Sequence, residues 1–289
     1  MTADELPAQL KQKVLQDIQR SGFPLELRAA RLFRDVGCLV QQSVRYTSNS
    51  SVHEIDLIAT LKPELQPTDP RDVVGLDMII ECKTSRSRPW VFFHDQSDPS
   101  TTMGMATSLR YITDLLFKPP HSLLAGCMNT ALRSHHYNDP LPSAKAYFEA
   151  CGKDAGSAIY KAIEAVQHAT AWFSSYLYAA GGPILAVDSA SGPRSRLIQP
   201  VIILDGDLLL ATPEHDGFAV ERTEHVLIRH GDLFSMSLNV PGERAELVID
   251  VVHISALARF VQTCTSDLAS FVDHINSLRA ADCVQPEFR

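Results

Sequence analysis

Apolar residues recur every three or four positions in several stretches of the chain, which is the spacing of an amphipathic helix. The first helix is predicted over residues 5–20, and a second begins near Pro24 and ends near Gly37. Residues 155–179 carry the clearest helical pattern, and a last helix or helix pair is predicted over 255–279. The first of these helices carries its apolar side chains on one side, at Leu10, Val14, Leu15 and Ile18.

Alternating or continuous apolar runs predict strands between these helices. Residues 38–46, 53–60 and 76–83 are the first three candidates. In the second of them, Ile55, Leu57 and Ala59 are expected to face away from Glu54, Asp56 and Ile58. Residues 61–75 are rich in proline and charge and read as a loop, so the second and third strands are predicted to form an antiparallel hairpin.

The second half of the chain completes an α/β pattern. Further strands are predicted over 198–204, 207–212, 217–229 and 245–252, followed by a helix for which Ser255 is a candidate N-cap. Residues about 94–155 are less regular; they contain one predicted helix (about 104–117) and read as a helical insertion. The whole chain, 1–289, is therefore expected to form one α/β domain with a mixed central sheet flanked by helices.

Composition and charge narrow the classes of protein. Of the 289 residues, 45% are hydrophobic and 21% charged, which are ordinary globular values and argue against disorder or a coiled coil. The net charge of −8 limits any nucleic-acid contact to a local basic patch. The six cysteines are scattered without a CxxC pair, which is typical of free thiols in a reducing cytoplasm. The uncharged stretch 165–187 is interrupted by Gly-Gly-Pro, so no membrane span is expected. The first residues, Met-Thr-Ala-Asp-Glu, are polar and acidic, so no signal peptide is expected.

The candidate chemistry lies on the predicted hairpin. Residues two apart on a strand share a face, so Glu81 and Lys83 project together and Cys82 points to the other side. Asp56 lies within the neighbouring strand, and pairing of the two strands would bring it close to Glu81. Two adjacent carboxylates repel each other, and a divalent cation such as Mg²⁺ or Mn²⁺ would offset that repulsion. Lys83 beside such an ion could orient a water or neutralise a phosphate, which together would suit phosphodiester hydrolysis.

These residues resemble a known motif. Asp56, a gap of 24 residues and Glu81-Cys82-Lys83 resemble the motif of the PD-(D/E)XK nuclease superfamily, whose fold is restriction-endonuclease-like. The preceding helix, with Glu26, looks like the first core helix of that fold. The resemblance covers about residues 22–93, and over 155–252 it extends only to the order of elements. The chain departs from the commonest pattern by having Ile55 in place of proline and a long loop between the motif halves.

The resemblance implies roles for individual residues. Asp56 and Glu81 would be metal ligands, with the backbone carbonyl of Cys82 as a further ligand and Glu26 as an accessory one. Lys83 would be the catalytic lysine. The implied protein is a cytoplasmic Mg²⁺- or Mn²⁺-dependent nuclease acting on DNA more than RNA, with a homodimer left open.

Each of these residues also has a plainer interpretation. Glu26 lies in the first turn of its helix, where the helix dipole favours a carboxylate. Glu81 and Lys83 could be a surface ion pair, and Glu54 or Asp77 could take the place of Asp56 if the strand register differs. Two other functions follow: a catalytically inactive module of the same fold that binds nucleic acid or protein, and an unrelated α/β enzyme that carries the motif by chance.

Basic and aromatic residues beside the motif are candidates for nucleic-acid contact. Arg86 and Arg88 stand three and five positions after Lys83 and could bind phosphates, and Trp90 could stack on a base or be buried. Lys161 and Gln167, on the long predicted helix, could reach the same site or belong to the surface and the core. His135-His136 has only Asp139 at a helpful spacing and reads as a loop rather than a metal site.

Overall fold

The computed structural model describes residues 7–48, 50–62, 73–95, 110–113, 141–152, 157–180, 194–230 and 247–280. Four α-helices lie in these ranges: α1 (Ala8–Arg20), α2 (Phe23–Asp35), α3 (Ser157–Ala180) and α4 (Leu257–Ala280). A short 3₁₀ helix, Ile254–Ala256, leads into α4. The predicted helices at 5–20, near 24, at 155–179 and at 255–279 are thereby confirmed.

The strands form one mixed sheet. In chain order they are β1 (Leu39–Ser48), β2 (Ser51–Leu61), β3 (Val73–Phe93), β4 (Arg110–Thr113), β5 (Ser143–Ala144), β6 (Ala146–Glu149), β7 (Arg194–Glu214), β8 (Gly217–Arg222), β9 (His225–His230) and β10 (Leu247–His253). The main strand order is β1-β2-β3-β7-β10-β9-β5, with β4 and β8 paired to β7 and β6 paired to β3. The pairs β3–β7, β7–β10 and β5–β9 are parallel and the others are antiparallel.

Apolar side chains cover both faces of this sheet. On one face α2 and α4 pack against β2, β3 and β7, burying residues such as Phe33, Met78 and Phe271. On the other face α3 packs with Ile159 and Val166 against the same strands. Strands buried on both sides read as continuous apolar runs, which explains the Met78-Ile79-Ile80 and Val201–Leu204 segments. The described residues thus form an α/β structure with a mixed central sheet flanked by helices.

Helix α1 differs from the other three because its apolar side is not covered by the described residues. Leu10, Val14, Leu15 and Ile18 are all 41–48% exposed. Among the helices in the described ranges, none combines the length and apolar character that crossing a bilayer requires.

Several sequence predictions are corrected by the fold. The third strand was predicted to end at residue 83, but β3 runs to Phe93, because it continues past an irregularity and pairs again with β7. Residues Arg110–Thr113 form a strand on β7 rather than part of a helix; the rest of the predicted helix 104–117 lies outside the described residues, as do His135 and His136. The N-cap before α4 is His253, whose ring accepts a hydrogen bond from the Ser255 amide, so Ser255 itself is not the cap.

Candidate functional site

The site begins where β2 and β3 stop pairing. Their antiparallel ladder runs from Leu61 opposite Leu76 to Leu57 opposite Ile80 and ends there. We call this point the fork. The next residues along the two strands are Asp56 and Glu81, and no ladder pairing joins them. Instead, the Cys82 amide donates a hydrogen bond of 2.7 Å to Asp56 Oδ2.

A kink in β1 and β2 accompanies the fork. Ser43, which would pair with Asp56, has a φ of 51° and interrupts the β1–β2 ladder. Below this point Leu57 and Ala59 face α2 and α4, whereas above it Ile55 packs on the α3 side together with Ile58. The prediction that Ile55 shares a face with Leu57 was therefore wrong. The left-handed backbone of a serine is uncommon, and here it reverses which side chains face α3.

The two acids of the motif meet at the fork. Glu81 is 6% exposed, and one carboxylate oxygen forms an ion pair with Lys83 Nζ. Cys82 packs in the core beneath α2 and α4, so Glu81 and Lys83 project to the opposite face, as predicted. The fork thus brings together Asp56, Glu81 and Lys83, which come from two neighbouring strands.

The electrostatics of the site show that the two carboxylates interact. Burial, and next the negative charge of Asp56, raises the pKa of Glu81 to about 7. Burial is also the largest cause of the raised pKa of Asp56, opposed by the Cys82 amide and the charge of Lys83. Burial by itself would lower the pKa of Lys83, but Glu81 and Asp56 raise it overall, which favours the charged ammonium.

Glu26 approaches this group from α2. It lies in the first turn of the helix, half-buried, with one carboxylate oxygen so close to Gly22 that an added Cβ there would stand 3.2 Å away. Burial, then the charges of Asp56 and Glu54, raises the pKa of Glu26. Within the described part of the chain, no hydrogen bond or ion pair connects Glu26 to the residues at the fork. We refer to Glu26, Asp56 and Glu81 as the carboxylate cluster.

The alternatives to Asp56 occupy other positions. Asp77 is fully buried and accepts a 2.6 Å hydrogen bond from Thr60, below the fork. Glu54 is exposed and pairs with Arg45 on the neighbouring strand. Lys161 lies exposed on α3 and does not contact the carboxylate cluster in the described ranges, whereas Gln167 is buried in the core.

The basic residues after Lys83 lie on an irregular part of β3. Regular pairing with β7 is interrupted between Ser85 and Trp90, and the Ser85 hydroxyl closes this segment by donating to the Arg88 carbonyl. Arg86 is exposed and pairs with Asp205 at 3.1 Å. Trp90 is completely buried, so it cannot stack on a base as one reading of the sequence suggested.

The donors at the fork are of a kind that suits a hard divalent cation. Mg²⁺ in proteins is usually bound by one or two carboxylates, with water and substrate phosphate completing its coordination. Asp56 and Glu81 supply two carboxylates, and the pKa of each is raised. A bound cation would lower both pKa values again, because its charge favours the ionised carboxylates. Within the described ranges, however, no group of three or more His, Cys, Asp or Glu side chains is arranged to hold a metal ion.

Sequence reasoning missed a group of aromatic rings next to the carboxylates. Tyr46 and His53 are opposite each other on β1 and β2, above the kink, and stack with ring centroids 5.4 Å apart. Trp172 of α3 packs on Tyr46 at 5.0 Å, and His168 meets His53 edge-on at 6.3 Å. Burial and the charge of Glu81 raise the pKa of Tyr46 to about 12, which places Tyr46 beside the site. We call these four residues the ring cluster.

Comparisons with known proteins add no assignment. No family model matches the chain, and no curated protein and no solved structure matches it.

Proposed function

We propose that the protein is a metal-dependent nuclease with a restriction-endonuclease-like core. The observation that supports this proposal is the fork, where Asp56, Glu81 and Lys83 meet on adjacent strands. This is the arrangement that the resemblance to the PD-(D/E)XK superfamily implies.

In this proposal each residue at the fork has a separate role. Asp56 and Glu81 would hold a Mg²⁺ or Mn²⁺ ion, with the Cys82 carbonyl as a further ligand and Glu26 as an accessory one. The ion, when bound, makes its water more acidic and polarises the phosphoryl oxygen. Lys83 exchanges its contact with Glu81 for the reacting group, where it orients the water or neutralises charge on the phosphate. Arg86 and Arg88 hold phosphates farther along the strand.

DNA is the preferred substrate in this proposal, with RNA second. The preference rests on the habits of the superfamily, since no residue at the fork selects a sugar. The net charge of −8 concentrates the attraction for a polyanion at local basic groups such as Arg86 and Arg88.

A cleavage assay tests this proposal. Single- and double-stranded DNA and RNA, end-labelled, are incubated with the protein in Mg²⁺, Mn²⁺ or EDTA. We expect ion-dependent cleavage that falls by at least about 100-fold in Lys83→Ala, the low end for a positioned acid–base group. Glu221→Gln is the matched control, because Glu221 is an exposed acid of β8, a strand that pairs with β7. Equal rates for wild type and Lys83→Ala would contradict the mechanism.

A second candidate function is an inactive module of the same fold that binds nucleic acid or protein. One observation favours it: in the described ranges no group of three or more His, Cys, Asp or Glu side chains is placed so that it could hold a metal ion. Under this alternative the Glu81–Lys83 ion pair is structural. Oligonucleotide binding that persists without any cleavage or metal binding would support the module over the nuclease.

A further inference from the structure

At the fork the sheet divides into two branches. Above Leu57 and Ile80, β1 and β2 continue together as a hairpin arm, while β3 continues with β7 and β6. The first branch carries Tyr46 and His53, and the second carries Arg86 and Arg88, which lie between its two stretches of pairing with β7. Aromatic rings and guanidinium groups therefore lie on two branches of the sheet that separate next to Glu81.

The ring cluster is held rigidly by packing. Tyr46 is only 4% exposed and stacks between His53 and Trp172, at interplanar angles of 24° and 31°. Trp172 lies one helical turn after His168 on α3, so the helix brings both rings to the hairpin arm. His53 and Trp172 are half-buried and His168 is exposed, which leaves ring surface open to a ligand.

The charges around the cluster indicate what kind of ligand fits. Glu54 is exposed beside His53, and Glu81 is close enough for its charge to act on Tyr46. Lys83 is paired with Glu81, and Arg45 is paired with Glu54. A phosphate is repelled by these acids, whereas a flat uncharged group gains stacking energy on the rings.

We propose that the ring cluster is a stacking site for an unpaired nucleobase of a single-stranded polynucleotide whose phosphates lie against Arg86 and Arg88. This inference rests on the proposed nucleic-acid function and specifies its substrate: a single strand or an unpaired stretch rather than an intact duplex. In a duplex each base is already stacked on its neighbours, and its faces are not available to protein rings.

A binding experiment separates stacking from charge. Fluorescence anisotropy in EDTA compares a labelled oligothymidylate with an abasic chain of equal length, which carries the same phosphates without bases. We expect wild type to bind oligothymidylate about tenfold more tightly than the abasic chain, the scale of one stacked base. A duplex of the same length is expected to bind no more tightly than the abasic chain.

Variants of the ring cluster show whether these residues cause the preference for oligothymidylate over the abasic chain. The double variant His53→Ala/His168→Ala is expected to bind the two oligonucleotides within about twofold of each other, since the stacked base contributes the whole preference. His53→Phe keeps a flat ring and is expected to retain the preference. Glu164→Ala is the matched control, because Glu164 is exposed on α3 one turn before His168 and outside the ring cluster.

The outcomes distinguish failure of the inference from failure of the proposed function. Equal binding of oligothymidylate and the abasic chain by wild type overturns the stacking site, even if the protein still cleaves DNA. A preference that survives in His53→Ala/His168→Ala also overturns it. Base-dependent binding without cleavage supports the stacking site and contradicts the nuclease. An absence of binding to every oligonucleotide contradicts both.

Discussion

Glu81 is the residue whose environment most needs explanation. A carboxylate that is 6% exposed is costly unless its charge is compensated, and Lys83 compensates it only in part because Asp56 adds a second negative charge nearby. Protonation is one way to relieve this repulsion and a bound cation is another. Glu81 therefore reduces the stability of the metal-free protein at neutral and alkaline pH.

The pH dependence of stability follows from this pKa. The value for Glu81 is 4.5 when unperturbed and about 7 in the folded chain. Between these values the folded state holds the proton that the unfolded state has released, so the free energy of unfolding falls as pH rises from about 4.5 to 7. Such a shift corresponds to about 3 kcal/mol for this single group.

Glu81→Gln is expected to remove that decline. Relative to wild type, the variant gains up to about 3 kcal/mol in the free energy of unfolding between pH 5 and pH 8, measured by urea denaturation in EDTA. Glu221→Gln serves as the exposed control and is expected to follow the wild-type profile. If the profiles of Glu81→Gln and wild type run parallel, the buried charge at position 81 is not the source of the pH dependence.

The hydrogen bond between Thr60 and Asp77 allows a test of whether Asp77, a buried acid of the same hairpin, has only a structural role. Thr60→Val removes a 2.6 Å hydrogen bond to the fully buried Asp77 carboxylate. We expect the free energy of unfolding to fall by about 1.5–3 kcal/mol, as for bonds to charged groups, while cleavage by the folded protein is unchanged. A loss of cleavage without a loss of stability would assign Asp77 to the site instead.

At the level of elements, the long strand β3 connects the site to the rest of the sheet. One edge of β3 pairs with β7 on both sides of the irregularity after Ser85. The other edge pairs first with β2, up to Ile80, and later with β6, from Trp90. The change of neighbours creates the fork, so the position of Lys83 depends on how closely β3 and β7 approach. Gly206 of β7 lies at a close approach of the two strands, because an added Cβ would overlap the Ser85 carbonyl.

Gly206→Ala is expected to push β7 away from β3 two residues after Lys83. The overlap is with backbone, which has little room to yield, so we expect a destabilisation of about 1–3 kcal/mol and slower cleavage at temperatures where the variant is folded. Gly152→Ala is the control, since an added Cβ there makes only ordinary contacts with the Arg88 side chain. Equal stability of Gly206→Ala and wild type would show that the strands can separate freely.

The sequence predicts three of the helices and the β2–β3 hairpin because the patterns that indicate them are local. Helical periodicity located α2, α3 and α4, and the hairpin of β2 and β3 placed Asp56 near Glu81. The part of β3 that follows Lys83 depends instead on contacts with residues that are distant in the sequence. Residues 84–89 have the composition of a turn. The strand continues because Thr84 and Ser85 before this segment's irregular part, and Trp90 after it, pair with β7, more than 100 positions away.

The ring cluster and the kink at Ser43 could not be predicted from the sequence, for related reasons. Tyr46 and His168 lie far apart in sequence, and nothing in the local pattern links β1 with α3. A left-handed φ at Ser43 has no sequence signal, because serine rarely adopts it. Helix α1 shows the opposite case: its amphipathic pattern is clear, yet the described residues leave its apolar side uncovered.

At the scale of the whole molecule, an acidic protein is proposed to bind a polyanion. With a net charge of −8, long-range attraction is weak and binding depends on a few local contacts. Arg86 and Arg88 are the basic groups that lie next to the fork on β3. The dependence of binding on salt should therefore be modest and should originate from these two residues.

Arg86→Gln/Arg88→Gln is expected to flatten the salt dependence. For a single strand, each lost phosphate contact reduces the slope of log K against log salt by about 0.7, so the double variant should lose about 1.4. Arg222→Gln is the control, since Arg222 is an exposed arginine of β8 that pairs with Asp207. An unchanged slope in the double variant would place the phosphate contacts elsewhere on the molecule.

The central claim is that the carboxylates at the fork bind a divalent ion, and a Mn²⁺ titration by calorimetry tests it most directly, with a non-hydrolysable phosphorothioate oligonucleotide present. We predict that wild type binds Mn²⁺, that Asp56→Asn weakens this binding at least about tenfold, and that Glu221→Gln leaves it unchanged. If wild type binds no Mn²⁺, or if Asp56→Asn binds it as tightly as wild type does, the account is contradicted.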